Sequence, residues 1–258
     1  MSTAGEMPFL DHLEELRWRI IWALGALVLG VVIGFIVVFT FEVQVADLIQ
    51  APILPFLHGR KLVYTHPGDG FAILMQLSII IGVIFALPMM LYQIWIFLSP
   101  ALHRHEKKVA IPVIFGIVFL FLCGAALAWY LVLPMTLKFM FNLGDKAFDQ
   151  MITVSEYFGF VTSMVLAMGA VFELPIAILL LSAFGLVTPQ FLSKFRRHAL
   201  VGSYVAAAII TPGDLFVTSI ALMVPLYFLY ELSIGLSFLV YRKRQRRLAE
   251  EETAEAIA

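Results

Sequence analysis

A chain of 258 residues that is 62% hydrophobic and only 14% charged falls outside the soluble range, where roughly 45–50% apolar and 25% charged is usual. Its net charge of −1 gives the whole chain no bias toward nucleic acid or acidic substrates, and its single cysteine, Cys123, excludes an internal disulfide. Composition therefore points to an all-α integral membrane protein, in which the few charges carry the information.

In chain order, Phe9, Leu13, Leu16 and Ile20 recur at helical spacing, which predicts an amphipathic helix leading into the first span. Its polar side carries His12, Glu14, Glu15, Arg17 and Arg19. The residues before the first apolar run are as acidic as they are basic, and that run is too long for a signal-peptide core. Six spans follow, at about residues 20–41, 71–98, 109–137, 158–182, 199–211 and 215–241, forming one membrane domain over residues 1–241. The fifth is short, because Arg197 and Asp214 bracket it closely. It must thin the bilayer, be shielded by neighbours, or fail to cross fully. Pro88, Pro134, Pro175, Pro212 and Pro225 fall within spans or at their ends, so several spans should bend.

Charge gives the orientation. Arg17 and Arg19, then Arg104, Lys107 and Lys108, then Lys194, Arg196 and Arg197, and finally Arg242, Lys243, Arg244, Arg246 and Arg247 all fall on one side of a six-span topology. Only Arg60, Lys61, Lys138 and Lys146 fall on the other. The positive-inside rule then puts both termini in the cytoplasm of a multi-pass protein of the cell membrane. Two outer loops are long, residues 42–70 and 138–157. Val45, Leu48, Ile49, Ile53 and Leu57 are spaced for a short amphipathic helix in the first, and the two loops should form an outer cap. The third outer connection, Pro212-Gly213-Asp214, is a bare turn. Residues 242–258 read as a basic flank against anionic lipid followed by an acidic, disordered end.

The fourth span is the most unusual. Residues 167–181 are apolar except for Glu173, with Pro175 two positions later. A carboxylate near the middle of a bilayer is costly and should face protein or trapped water. Pro175 lacks the amide that the Val171 carbonyl would accept from, so a kink is expected there. Together the two argue for a bundle with a wet or concave interior, or for a protonated acid bonded to a neighbouring helix.

Several chemistries have no counterpart. There is no phosphate-binding Gly-rich loop, no His-Glu-x-x-His pair, and no serine or cysteine in the setting of an intramembrane nucleophile. His103, His105 and Glu106 could meet a metal but read as a solvated loop. No cofactor, metal or catalytic residue is therefore expected, and no nucleic-acid partner.

Four short motifs carry a resemblance. His12-Leu13-Glu14-Glu15-Leu16-Arg17-Trp18-Arg19, Phe97-Leu98-Ser99-Pro100-Ala101-Leu102 with His105-Glu106-Lys107, Phe172-Glu173-Leu174-Pro175, and Thr211-Pro212-Gly213-Asp214 occur in this order. The set resembles the signatures of the TatC family, the multispanning receptor subunit of the twin-arginine translocase. His103 stands where a tyrosine is common in that family, Gly213 where a second proline is, and Asp69 where glutamate is frequent.

The resemblance implies a curved six-helix wall with short fifth and sixth helices and an outer cap. It implies binding of the twin-arginine signal peptides of folded cargo, assembly with TatA- and TatB-type single-span partners, self-association in the complex, and use of the proton-motive force. By the same resemblance Glu15 and Glu106 are signal-binding carboxylates, with Phe97 and Pro100 shaping the loop and Arg17 in the same motif. Glu173 lies on the concave face with Pro175 as its intramembrane companion in the motif, Glu231 is a mid-span acid near the partner-binding edge, and Asp214 belongs to the outer turn. The competing reading is a proton-coupled small-solute transporter using Glu173 and Glu231. Paired broken helices at corresponding positions of two repeats would be expected of it, and no repeat is visible.

Overall fold

The protein, as a computed structural model, is described over residues 9–57, 59–98, 110–142, 151–183, 185–211 and 216–257. Among these residues every regular element is helical, and the one extended pairing is an isolated bridge between Val63 and Thr153. Five helical stretches are long and apolar enough to cross a bilayer: Leu13–Thr40, Asp69–Ile94, Phe115–Asn142, Val154–Ala183 and Val217–Arg242. The expected fifth crossing corresponds to a helix of 15 residues, Arg196–Ile210. At 1.5 Å per residue it is only about 22 Å long, short of a hydrocarbon core of about 30 Å. The chain divides into two compact units. One comprises residues 1–49, 63–118 and 153–162, the other residues 50–62, 119–152 and 163–258.

The first unit is built on the packing of α1 (Phe9–Thr40) against a long partner, Asp69–Leu98. Two rows of small residues let the backbones touch. A Cβ on Gly30 would lie 2.4 Å from the Gly82 carbonyl oxygen, and one on Gly34 would lie 2.3 Å from that of Ser78. Gly30 and Gly34 are four apart on one helix, as are Ser78, Gly82 and Ala86 on the other. This is the small-x-x-x-small pattern that membrane helices use where lipid supplies no hydrophobic drive for association. The opposite side of α1 is apolar and exposed, with Trp22, Val28, Leu29, Ile36 and Phe39 turned outward.

Loop residues secure the far end of this unit. The Asp69 carboxylate accepts from the Thr65 amide at 2.8 Å, the His66 amide at 2.9 Å and the Thr65 hydroxyl at 3.2 Å. It thereby closes the turn that starts the second crossing. The Val154 amide donates to Val63 at 3.0 Å, and the Tyr157 hydroxyl donates to the Ile49 carbonyl at 2.6 Å. The single amphipathic helix expected between residues 45 and 57 is instead two, α2 (Glu42–Gln50) and α3 (Leu54–Leu57). Pro52 and Pro55 are the reason. A proline inside a helix removes a donor and clashes with the preceding turn, but is tolerated in a first turn. Ile49, Ile53 and Leu57 are buried as expected, whereas Leu48 is exposed. The second crossing, Asp69–Leu98, is α4.

In the second unit, prolines set the irregularities. The third crossing consists of α5 (Ala110–Leu127), a wide π-type turn over Ala128–Val132, and α6 (Leu133–Asn142). The Leu133 amide reaches back to Ala128 instead of closing the normal turn. Pro134, next in sequence, has no amide for the Tyr130 carbonyl, so the widened turn coincides with the donor that is missing. Phe56 stacks on Phe141 at 5.2 Å between ring centroids. The fourth crossing breaks into α7 (Val154–Phe172) and α8 (Leu174–Ala183), with Glu173 as the joint. Its amide turns in to Ala170 at 3.2 Å, and its carbonyl accepts from Ile176 and Ala177 at 3.1 and 3.0 Å. The kink expected from Pro175 is there, and Pro175 itself is buried.

Beyond α8, Gly185 adopts φ +76° and Leu186 donates back to Leu181, a left-handed cap that suits glycine. Thr188 then caps α9 (Pro189–Lys194), its hydroxyl accepting from the Phe191 amide at 3.2 Å. The Arg196–Ile210 helix, α10, and α11 (Val217–Ile257) form an antiparallel hairpin. It is tied at one end by the Thr211 and Ser219 hydroxyls, 2.9 Å apart. The implied shortness holds for α10, whereas α11 runs unbroken for 41 residues. The tail expected to be disordered is helical to Ile257. Leu248, Ala249, Glu250, Glu251, Glu252, Ala254 and Ala256 are good helix formers, and no glycine or proline follows Gly235.

Candidate functional site

The polar residues singled out by sequence fall into three places. In the first unit, Glu15 lies one helical turn before Arg19 on α1, and its Oε1 accepts from Arg19 Nη2 at 2.9 Å. Arg19 Nη1 also donates to Gln93 Oε1 on α4 at 3.4 Å. The Arg19 Nε is buried without a bond among the described residues. Both side chains of the pair are mostly covered, 28% exposed for Arg19 and 20% for Glu15, so this is no freely solvated surface pair. Arg17 is exposed, and Phe97 near the end of α4 is half-buried. Pro100 and Glu106 lie outside the described residues, as do His103 and His105.

Gln93 was not singled out, although the signal was available. It is an amide in an otherwise apolar run, and it is only 5% exposed. Such a group in a membrane helix needs a partner, and here the partner is Arg19. What this corner can do follows from its bonds: it holds a carboxylate against a guanidinium where water has limited access. Charge-assisted bonds are stronger in such a setting than in open solvent.

Glu173 forms the second place. Just before it, α7 lies tight against α5. A Cβ on Gly124 would fall 2.6 Å from the Met168 carbonyl oxygen and 2.8 Å from the Phe172 ring, and one on Gly169 would meet the Phe121 ring at 2.4 Å. Glu173 Oε1 is buried and has no hydrogen bond among the described residues. An unsatisfied carboxyl oxygen at membrane depth calls for explanation.

Glu231, the third, is not a lone mid-span acid. Its Oε2 accepts from Arg196 Nη2 at 2.9 Å and its Oε1 from the Tyr227 hydroxyl at 2.8 Å. Hairpin geometry brings this about, since the first residue of α10 comes opposite the fifteenth of α11. One residue earlier, the Tyr230 hydroxyl donates to the Leu192 carbonyl of α9 at 2.8 Å. The Ser182 and Ser237 hydroxyls meet at 2.7 Å between α8 and α11. Asp214 lies outside the described residues. Among the described residues no group of three His, Cys, Asp or Glu side chains is placed to hold a metal ion.

Known proteins resemble the chain over most of its length. The family model for the Sec-independent protein translocase protein (TatC) matches residues 11–225. The TatC protein of Aquifex aeolicus (strain VF5) is 38% identical over 244 residues, 93% of this chain and 98% of that one. The TatC protein of Escherichia coli (strain K12) is 32% identical over 248 residues, 95% of this chain and 94% of that one. A crystal structure of the twin-arginine translocase receptor TatC superposes with a TM-score of 0.73 at 37% identity, covering 89% of this chain and 99% of the other. Matched from its first helix into its last, and over nearly all its length by these relatives, the chain belongs to the TatC family.

Proposed function

We propose that this chain is the receptor and core subunit of a twin-arginine translocase. It binds the twin-arginine signal peptides of folded proteins and assembles with single-span TatA- and TatB-type subunits, and with further copies of itself, for export driven by the proton-motive force. It is a multi-pass protein of the cell membrane with both termini in the cytoplasm, in keeping with the bias of lysine and arginine. Its role is to bind and assemble, with no catalysis of its own.

The observation that best supports this reading is the corner around Glu15, a partly covered carboxylate already engaged with a guanidinium at 2.9 Å. Two consecutive arginines on an extended peptide point to opposite sides, so two carboxylates on separate elements suit them better than one. Glu15 on α1 takes one arginine and Glu106 after α4 the other, with Phe97 and Pro100 shaping the loop between and Arg17 flanking it. Photo-crosslinking from positions beside Glu106 to a twin-arginine signal peptide tests the assignment, with a twin-lysine peptide as control. Equal crosslinking of the two peptides would sink it.

Glu173 serves a later step than signal binding, its buried, unpartnered oxygen being the supporting observation. Glu173→Gln is expected to leave protein level and signal crosslinking at wild-type values and to slow transport. Glu173→Ala is expected to slow it further, because no polar group then remains at the α7–α8 joint for a partner to meet. Normal transport by Glu173→Ala, measured in inverted membrane vesicles, would reduce this residue to packing. The transporter reading needs a second free acid. Glu231, bound on both oxygens, does not favour it.

A further inference from the structure

The seam between α1 and α4 fixes what stands at its end. Gly30 abuts Gly82 and Gly34 abuts Ser78, an antiparallel register. Arg19 stands eleven residues before Gly30 and Gln93 eleven after Gly82, about three helical turns in each case. The register that pairs the glycines therefore brings Arg19 to Gln93. Backbone contact along the seam then holds the two residues opposite each other.

Arg19 is held by less than its guanidinium can use. Nη2 meets Glu15 at 2.9 Å, Nη1 reaches Gln93 Oε1 only at 3.4 Å, and the covered Nε has no bond among the described residues. A permanent brace in a covered place is normally bonded throughout. The hold on Glu15 is partial too, since Oε1 alone is engaged among the described residues. An arginine arriving on a peptide binds a carboxylate best through two parallel bonds, one to each oxygen. That fit needs Oε1, and so needs Arg19 to leave it. Gln93 gives Arg19 a place to go. Its carbonyl oxygen is already within reach and its side chain is 5% exposed, so an acceptor waits where water is a poor substitute.

We propose that Arg19 is a latch on the signal site, occupying Glu15 in the resting chain and passing to Gln93 when a signal arginine takes its place. The proposal rests on the reading of Glu15 as a signal-binding carboxylate. Arg19 is then an internal competitor, and Gln93 a positioning residue that acts only through Arg19. A site that is free in only a fraction of chains binds every ligand more weakly by that fraction. The latch therefore sets the affinity threshold, while the guanidinium fork sets the preference for arginine over lysine.

Fluorescence anisotropy of labelled twin-arginine and twin-lysine signal peptides, titrated with the purified whole chain in lipid nanodiscs, tests this. Arg19→Met keeps an apolar stem and removes the donors. It is expected to tighten both peptides about tenfold, the size of one charge-assisted bond, and to leave the ratio between them unchanged. Arg19→Lys keeps the charge without the fork and is expected to tighten both by less, and it reports on the latch even if Arg19→Met fails to fold. Gln93→Leu is expected to weaken both about threefold, as suits the loss of one long bond, and to have no effect in the Arg19→Met background. Unchanged or weaker binding in the Arg19 variants, with binding lost in Glu15→Ala, would make Arg19 a brace and overturn the latch while leaving the signal site standing. The same loss from Gln93→Leu with and without Arg19 would overturn the transfer to Gln93. Wild-type binding by Glu15→Ala would overturn the signal site itself, and the latch with it.

Discussion

Glu15→Arg and Glu106→Arg are each expected to abolish crosslinking of the chain to a twin-arginine signal peptide, in membranes adjusted to equal protein level. At position 15 the reason is local. Arg19 Nη2 lies 2.9 Å from the present carboxylate, and the substitution sets two guanidiniums against each other where the peptide must add a third. Each charge-assisted bond is worth about 1.5–3 kcal/mol, or roughly ten- to a hundredfold in affinity, so the alanine variants should lose about that much. The arginine variants add repulsion to the loss. Release of Arg19 distinguishes Glu15→Ala from Glu106→Ala, because in the former Arg19 keeps, among the described residues, only its 3.4 Å bond to Gln93. Glu15→Ala should therefore also lower the thermal midpoint of the purified protein slightly. Wild-type crosslinking by both arginine variants would remove the carboxylate pair from the mechanism.

Gly34→Leu is expected to deplete the folded protein. A Cβ there would lie 2.3 Å from the Ser78 carbonyl oxygen and 3.0 Å from the Gly82 amide nitrogen. Both obstacles are backbone, so no rotamer change relieves them and α1 must move off α4 along its length. Overpacking costs roughly 1–3 kcal/mol in ordinary cores and more where nothing can give way. Against a typical net stability of about 5–15 kcal/mol, a loss at the upper end of that range raises the unfolded population roughly a hundredfold and speeds proteolysis accordingly. Gly25→Leu on the same helix is the control. Nothing lies within 4 Å of its Cβ, and glycine is itself a poor helix residue, so that variant should accumulate normally and melt no lower. Steady-state level in the membrane and the thermal midpoint in detergent measure both. Equal behaviour of the two variants would mean that the seam is looser than its distances.

The crossings were legible because lipid imposes a simple rule: a helix that meets hydrocarbon on most sides must be apolar for about 20 residues. Prolines were legible for a similar reason, since a missing amide acts on its own turn whatever surrounds it. The break at Glu173 shows this directly, whereas Pro52 and Pro55, acting in the same way, divide α2 from α3 where a single helix was expected. The spacing of Gly30 and Gly34, and of Ser78, Gly82 and Ala86, was in plain view as well. What was missing was which helix each row faces, and that depends on packing between segments some fifty residues apart. Gln93 was hidden likewise, because an amide in an apolar run announces a need and not the partner.

By itself the sequence determined the class of the protein, the order of its long apolar runs, the bend at Pro175 and, through four motifs, the family. Each is a property of one segment in contact with lipid, or of its own backbone. Only the tertiary structure decided that Glu231 is bound to Arg196, 35 positions away, and that Arg19 is shared between the Glu15 carboxylate on α1 and the Gln93 amide on α4. A charge on a linear chain has no partner until a hairpin or a crossing supplies one, and in a medium poor in water that partner decides what the charge can do.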